Sequence, residues 1–212
     1  KGVIVGYGSI KTIEMNMIAI LKNDRRLKGK FKYNEFTAQV EIDGKPIEMN
    51  LVLNVSIWIQ KHYEGFRLDP NLIGKCINYV ASLNSYHPVQ DVLNDWWKNV
   101  DLSEAPDHAR PENLFTYYFR AENEPPREGA IDLRLLNAEY GRMFCKCFIK
   151  RQLQPGCKSD YMIILIGPQN AGKSIGIEAL AIDTKFFARG HLDLKSKDSK
   201  LEVQGTAIYE LD

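Results

Sequence analysis

The sequence predicts a mixed α/β and α+β chain: a small α+β module at residues 1–98, a helical linker at 99–129, and from 130 to 212 part of an α/β core built on a parallel sheet. Three observations lead there. An apolar run at residues 161–166 is followed at once by Gly167-Pro168-Gln169-Asn170-Ala171-Gly172-Lys173-Ser174, the GxxxxGKS turn that joins a buried strand to a helix. A second apolar run, Thr206-Ala207-Ile208-Tyr209-Glu210-Leu211-Asp212, ends in acid, as a parallel strand does when it delivers a carboxylate to the mouth of a sheet. Ahead of both lie short helical periods and one hairpin signal, the mark of a compact α+β unit.

In chain order, residues 12–23 place Ile13, Met17, Ile18, Ile20 and Leu21 at helical spacing behind Thr12. Residues 36–42 and 47–53 read as two strands around Asp43-Gly44, a pair that suits the primed hairpin turn. Helices are expected at 55–63, at 71–83 behind Asp69-Pro70, and at 89–98 behind His87-Pro88, which together suggest a module of winged-helix type. Between 99 and 134 the chain turns acidic, and Pro106, Pro111, Pro125 and Pro126 break any long helix, leaving one short apolar-aromatic helix at 114–119. A long helix is expected at 130–152, ended by Pro155-Gly156, and after the glycine turn comes a helix with apolar residues at the right period.

Composition sets the outer limits. With 212 residues, 44% of them hydrophobic and 26% charged, the chain has the makeup of one large or two small globular domains. No apolar stretch reaches the length of a membrane span, so a cytoplasmic protein without membrane contact is the default expectation. Cys76, Cys145, Cys147 and Cys157 are too few and too unevenly placed for a disulfide framework, and Cys145-Lys146-Cys147 with Cys157 is a weak zinc pattern better read as half-buried thiols. His62, His87, His108 and His191 share no ligand spacing. Gly6-Tyr7-Gly8 hints at a dinucleotide fingerprint, but Lys11 stands at the third glycine position. Net charge is +1, yet Lys1, Lys11, Lys22, Arg25, Arg26, Lys28, Lys30 and Lys32 face only Glu14 and Asp24, a local excess that could meet nucleic-acid phosphates or simply be solvated.

The glycine turn carries the chemistry. Glycine at both ends lets the backbone curl and aim N–H groups at phosphate oxygens, and the helix that follows points its positive end at the same charge. Lys173 would reach the β- and γ-phosphates of ATP and Ser174 would take one position on Mg²⁺. Glu210 is the first choice for the acid that orients the attacking water, with Asp212 turned toward the metal.

Three strings carry a family resemblance: residues 27–36 (LKGKFKYNEF), residues 84–89 (NSYHPV) and residues 154–162 (QPGCKSDYM), the last leading into the glycine turn. Together they resemble the virulence-associated protein E family, relatives of the primase-helicases of phages and mobile genetic islands, over nearly the entire chain. The resemblance implies a P-loop NTPase core of the ASCE type, akin to superfamily 3 helicases and AAA+ proteins, a homo-oligomer, and single-stranded or forked DNA as partner. It also places Glu210 on the first acid of a Glu-Leu-x-Glu pattern, with Asp212 at the x position, and puts the sensor residue, the arginine finger and the DNA-gripping hairpin beyond Asp212.

The expected function is therefore a DNA-directed ATPase, a helicase of replication. A DNA-binding or replication-assembly protein with a regulatory or vestigial loop is the alternative. A small-molecule kinase would carry the turn near its N-terminus, and a GTP switch would need an NKxD motif that is not visible.

Overall fold

The computed structural model describes residues 5–6, 9–122, 129, 131–193 and 203–211. Pro125, Pro126, Lys195, Lys197, Lys200 and Asp212 lie outside the described residues. The class is mixed α and β with small sheets. Contacts divide the chain into two compact units, Lys1–Pro88 and Val89–Asp212, whereas the sequence places the first boundary at 98. Among the described residues no helix is long and apolar enough to cross a membrane.

In the first unit, β1 (Val5–Gly6) and β2 (Ser9–Ile10) form a small antiparallel pair, not the opening of a dinucleotide fold. Helix α1 (Glu14–Asn23) buries Met17, Ile20 and Leu21, the i, i+3, i+4 stripe its sequence dictates. Strands β3 (Phe31–Asn34) and β4 (Gln39–Ile42) pair antiparallel, β5 (Lys45–Pro46) adds to β4 through the Asp43-Gly44 turn, and β6 (Ser85–Tyr86) pairs parallel with β3. Asp43 and Gly44 have φ of 50° and 79°, both left-handed, as the primed turn requires.

Two expectations fail here. Phe36 lies in the turn between β3 and β4, and most of the segment expected as the second strand is the start of α2 (Met49–His62). Val52, Val55, Ser56 and Ile59 bury one helical face, so the period of 3.6 wins over the period of 2. The winged-helix reading fails with it. The hairpin precedes the helix pair, and residues 63–69 between α2 and α3 (Pro70–Ser82) make a connection longer than a helix-turn-helix uses. Helix α3 itself starts where the sequence says, with Pro70 in the first turn and the Asp69 carboxylate accepting from the Asn71 and Leu72 amides.

A buried acid ties this sheet together. Glu41 accepts hydrogen bonds from Asn34 Nδ2 at 2.8 Å and from the Tyr86 hydroxyl, so one carboxylate joins β3, β4 and β6. Removing the hydroxyl with Tyr86→Phe leaves that carboxylate oxygen without its donor. The expected cost is roughly 1–3 kcal/mol of unfolding free energy, read as a lower urea midpoint at unchanged slope.

The second unit begins with α4 (Pro88–Asn99), whose first residue closes the preceding unit. Proline-broken single turns follow at Leu102–Glu104, Asp107–Ala109 and Pro111–Asn113, then a π-helical turn at Leu114–Tyr118. Helix α5 (Leu133–Leu153) starts at Asp132, which accepts from the Arg134 amide, and Gly141 on it lets the Pro111 carbonyl approach closer than any side chain would allow. Residues 173–179 form α6 (Lys173–Ala179), and β7 (Phe187–Gly190) pairs parallel with β8 (Ile208–Leu211) so that Arg189 lies opposite Glu210.

The apolar run ahead of the glycine turn belongs to no strand among the described residues. Met162, Ile164 and Ile166 are exposed while Ile163 and Leu165 are half-buried, the alternation of a strand without its ladder. The sequence expects a buried parallel strand there; among the described residues nothing pairs with it, and β7 and β8 form a two-stranded sheet of their own.

Candidate functional site

Local backbone chemistry shapes the loop. Asn170 and Gly172 sit at φ of 61° and 78°, the left-handed region that glycine enters freely and asparagine tolerates, and the chain thereby turns back on itself before α6. Gln169, Asn170 and Ala171 are exposed on the turn. Helix α6 is seven residues long, shorter than the sequence pattern implies, so its dipole lends less than a full helix would.

Lys173 is folded inward. Its Nζ donates to the Gly167 carbonyl at 3.0 Å and the Pro168 carbonyl at 2.7 Å, so the ammonium occupies the mouth of its own loop. Both acceptors are exposed, and an anionic oxygen is a stronger acceptor for an ammonium than a neutral carbonyl.

Ser174 and Glu210 are brought together across 36 residues of chain: Ser174 Oγ donates to Glu210 Oε1 at 2.6 Å. One comes from the first turn of α6 and the other from β8, so the loop helix and the acid-bearing strand meet. The other carboxylate oxygen, Glu210 Oε2, is buried and has no hydrogen-bond partner among the described residues. Such an oxygen is costly unless a water or a cation completes it. A serine hydroxyl beside a carboxylate is a hard-oxygen donor set of the kind that fits Mg²⁺.

The remaining sequence candidates disperse. His87 is buried against the Phe36 ring, His62 lies on Trp58, and His108 stacks on Tyr117. Among the described residues no three metal-binding side chains cluster, which leaves the Cys145, Cys147 and Cys157 pattern without a site. Cys147 and Cys157 line a cavity of about 330 Å³ with Lys150 and Lys158, and no residue of the glycine turn lines it.

The basic cluster is partly spent on the fold. Arg26 pairs with Asp24 at 3.0 Å and lies 4.6 Å from the centre of the Trp58 ring, and the Tyr63 hydroxyl donates to Asp24 at 2.7 Å. The Arg26 guanidinium, with Tyr63, holds the Asp24 carboxyl well below the usual carboxylate range, so this stabilisation is in force at neutral pH and is lost only in strong acid. Lys30 pairs with Asp43, and Lys32 lies over Tyr86. Lys22, Arg25 and Lys28 remain exposed without an ion-pair partner among the described residues.

One contact escapes sequence reading. Phe119, from the turn after the π-helical segment, packs against Gly176 on α6. A glycine inside a helix is the signal that could have pointed to it.

The model of the virulence-associated protein E-like domain family matches residues 103–212, which include the loop, Ser174 and Glu210. None of the curated proteins compared with the chain matches it.

Proposed function

Because this chain belongs to the virulence-associated protein E-like domain family, we propose that it is a P-loop ATPase of the superfamily 3 helicase-like type that binds Mg-ATP and acts on DNA in the replication of a phage or mobile element. Family membership is consistent with a phage or mobile-element protein. The observation that carries the ATPase reading is the Ser174–Glu210 hydrogen bond with its orphaned second oxygen.

Each residue then has a task. Lys173 exchanges the Gly167 and Pro168 carbonyls for the terminal phosphates of the nucleotide. Ser174 and Glu210 would hold a magnesium ion, which when bound neutralises charge on those phosphates. Glu210 Oε2 offers the acceptor that orients an attacking water, so one carboxylate serves both the serine side and the water side. The reading from sequence gives the metal to Asp212 and the water to Glu210; the serine contact draws Glu210 toward the metal as well.

A second reading has its own observation. Lys173 satisfied by its own loop is what a regulatory or vestigial site would retain in a replication-assembly protein. Calorimetry with Mg-ATP and Mg-GTP, followed by ATPase assays with and without single-stranded DNA, separates the two. ATP binding with DNA-stimulated turnover supports the motor; binding without turnover, even with DNA, supports the regulatory loop; preference for GTP counts against both.

DNA would be met by the cations left free, and an oligomer would bring several such faces together. Reversing Lys22, Arg25 and Lys28 to Glu is expected to weaken single-stranded DNA binding and to reduce the salt slope of log K by roughly 2. Arg26→Glu is expected to disturb the Asp24–Trp58–Tyr63 cluster instead, seen as lost stability. An unchanged salt slope in the triple variant would take this face out of the DNA path.

A further inference from the structure

We propose that Arg189, on the strand beside Glu210, is a positioning residue that fixes the Glu210 carboxylate for the water it orients, an inference that rests on the ATPase reading above. Strands β7 and β8 run parallel, with Phe187 opposite Ile208 and Arg189 opposite Glu210. In a parallel ladder, opposite residues send their side chains to the same face, and alternate residues along each strand share it. Phe187, Arg189, Ile208 and Glu210 therefore line one face, and Ala188, Gly190, Tyr209 and Leu211 the other. A second contact agrees: a Cβ at Gly190 would lie 3.2 Å from the Tyr209 hydroxyl, as two residues of one face do.

Ser174 tells which face bears the chemistry. Its hydroxyl reaches Glu210 from α6, so Arg189 leaves the sheet on the side where the loop helix meets the acid. Adjacent strands lie about 4.8 Å apart, less than the length of an arginine side chain. The guanidinium can thus span the gap.

Charge points the same way. Glu210 Oε2 is buried without a hydrogen-bond partner among the described residues, while Arg189 is exposed and has no ion-pair partner among them. Lys173 is committed to the Gly167 and Pro168 carbonyls and leaves the acid alone. Closing the guanidinium on Oε2 removes the cost of a buried oxygen without a donor, and charge-assisted bonds of this kind are about twice as strong as neutral ones. That oxygen has two lone pairs, so one N–H leaves room for a water. The carboxylate is then held from both ends, by Ser174 from α6 and by Arg189 from β7. A general base confined in this way is already oriented when the water attacks.

The test is made on the full chain with Mg-ATP and single-stranded DNA. Arg189→Ala is expected to lower kcat by roughly 10–100-fold and to leave both KM and the calorimetric affinity for Mg-ATP within about twofold of wild type. The melting temperature should stay within about 2 °C, because an exposed, unpaired side chain supports little of the fold. Binding supplies a readout apart from turnover: Mg-ADP with aluminium fluoride, a mimic of the phosphoryl group in transfer, should bind about tenfold more weakly to the variant, and Mg-ADP alone equally well. Arg189→Lys should recover part of both losses. In a Glu210→Gln background, Arg189→Ala should cost less than about twofold more, since it acts through that carboxylate. Losses that multiply in the double variant would overturn the proposal, as would a fall in Mg-ATP affinity that matches the fall in turnover, which would put Arg189 on the phosphates. Unchanged turnover would make it a solvated surface residue. Wild type that neither hydrolyses ATP nor takes up the aluminium fluoride complex sinks the ATPase reading and this one with it, an outcome seen before any variant is made.

Discussion

Lys173→Ala is expected to lower Mg-ATP affinity by roughly a hundredfold, about 2.7 kcal/mol, the scale of charge-assisted hydrogen bonds lost to phosphate. Lys173 now serves two exposed carbonyls, both of which water can satisfy once the ammonium is gone. Folding should therefore be nearly indifferent to the change, with a melting temperature within about 2 °C of wild type. That separation of binding from stability is the point of the measurement. Calorimetry and a thermal melt on the same sample decide it, and wild-type affinity in the variant would mean that nucleotide, if bound, is held elsewhere.

Glu210→Gln is expected to bind ATP within a few-fold of wild type and to lose turnover by roughly 10²–10⁴, the range for removing a positioned base. The amide oxygen can still accept from the Ser174 hydroxyl, so the contact between α6 and β8 survives while the charge does not. Because the same carboxylate stands beside the serine, the magnesium concentration for half-maximal activity should rise by roughly tenfold or more. A variant that turns over normally would shift the acid role to Asp212. One that loses turnover with no change in magnesium requirement would place Glu210 on the water side alone.

Much of the local structure is legible in the sequence because single residues decide it. Asp43-Gly44 takes the primed turn, Asp69-Pro70 opens α3, Pro155-Gly156 follows the end of α5, and Gly172 starts α6. The meeting of Ser174 with Glu210 is legible for a different reason. A glycine turn on a helix and an acid at the end of a strand imply the same mouth, and the structure brings them within hydrogen-bond reach.

What the sequence hides is pairing. Residues 47–53 carry apolar side chains compatible with strand or helix, and only burial of Val52, Val55 and Ile59 against the first unit's core settles the period. Residues 162–166 keep the alternation of a strand, but alternation does not say which neighbour supplies the ladder. Charge counting missed that Arg26 is committed to Asp24 and Trp58, since ion pairs close in space at distances no composition reveals. Phe119 and Gly176 stand 57 positions apart, and nothing in either neighbourhood announces the other.

The unladdered run before the loop has a practical side. Ile166 is 94% exposed, Met162 and Ile164 are exposed as well, and among the described residues no strand pairs with this run. A segment of that kind is adhesive: it offers a ready template for edge-to-edge growth between molecules, and natural proteins ordinarily blunt such edges with charge or proline. Self-association seeded here would bring neighbouring molecules up to the glycine loop that follows directly, and replacing Ile166 with Lys is expected to reduce it, read by light scattering at rising protein concentration.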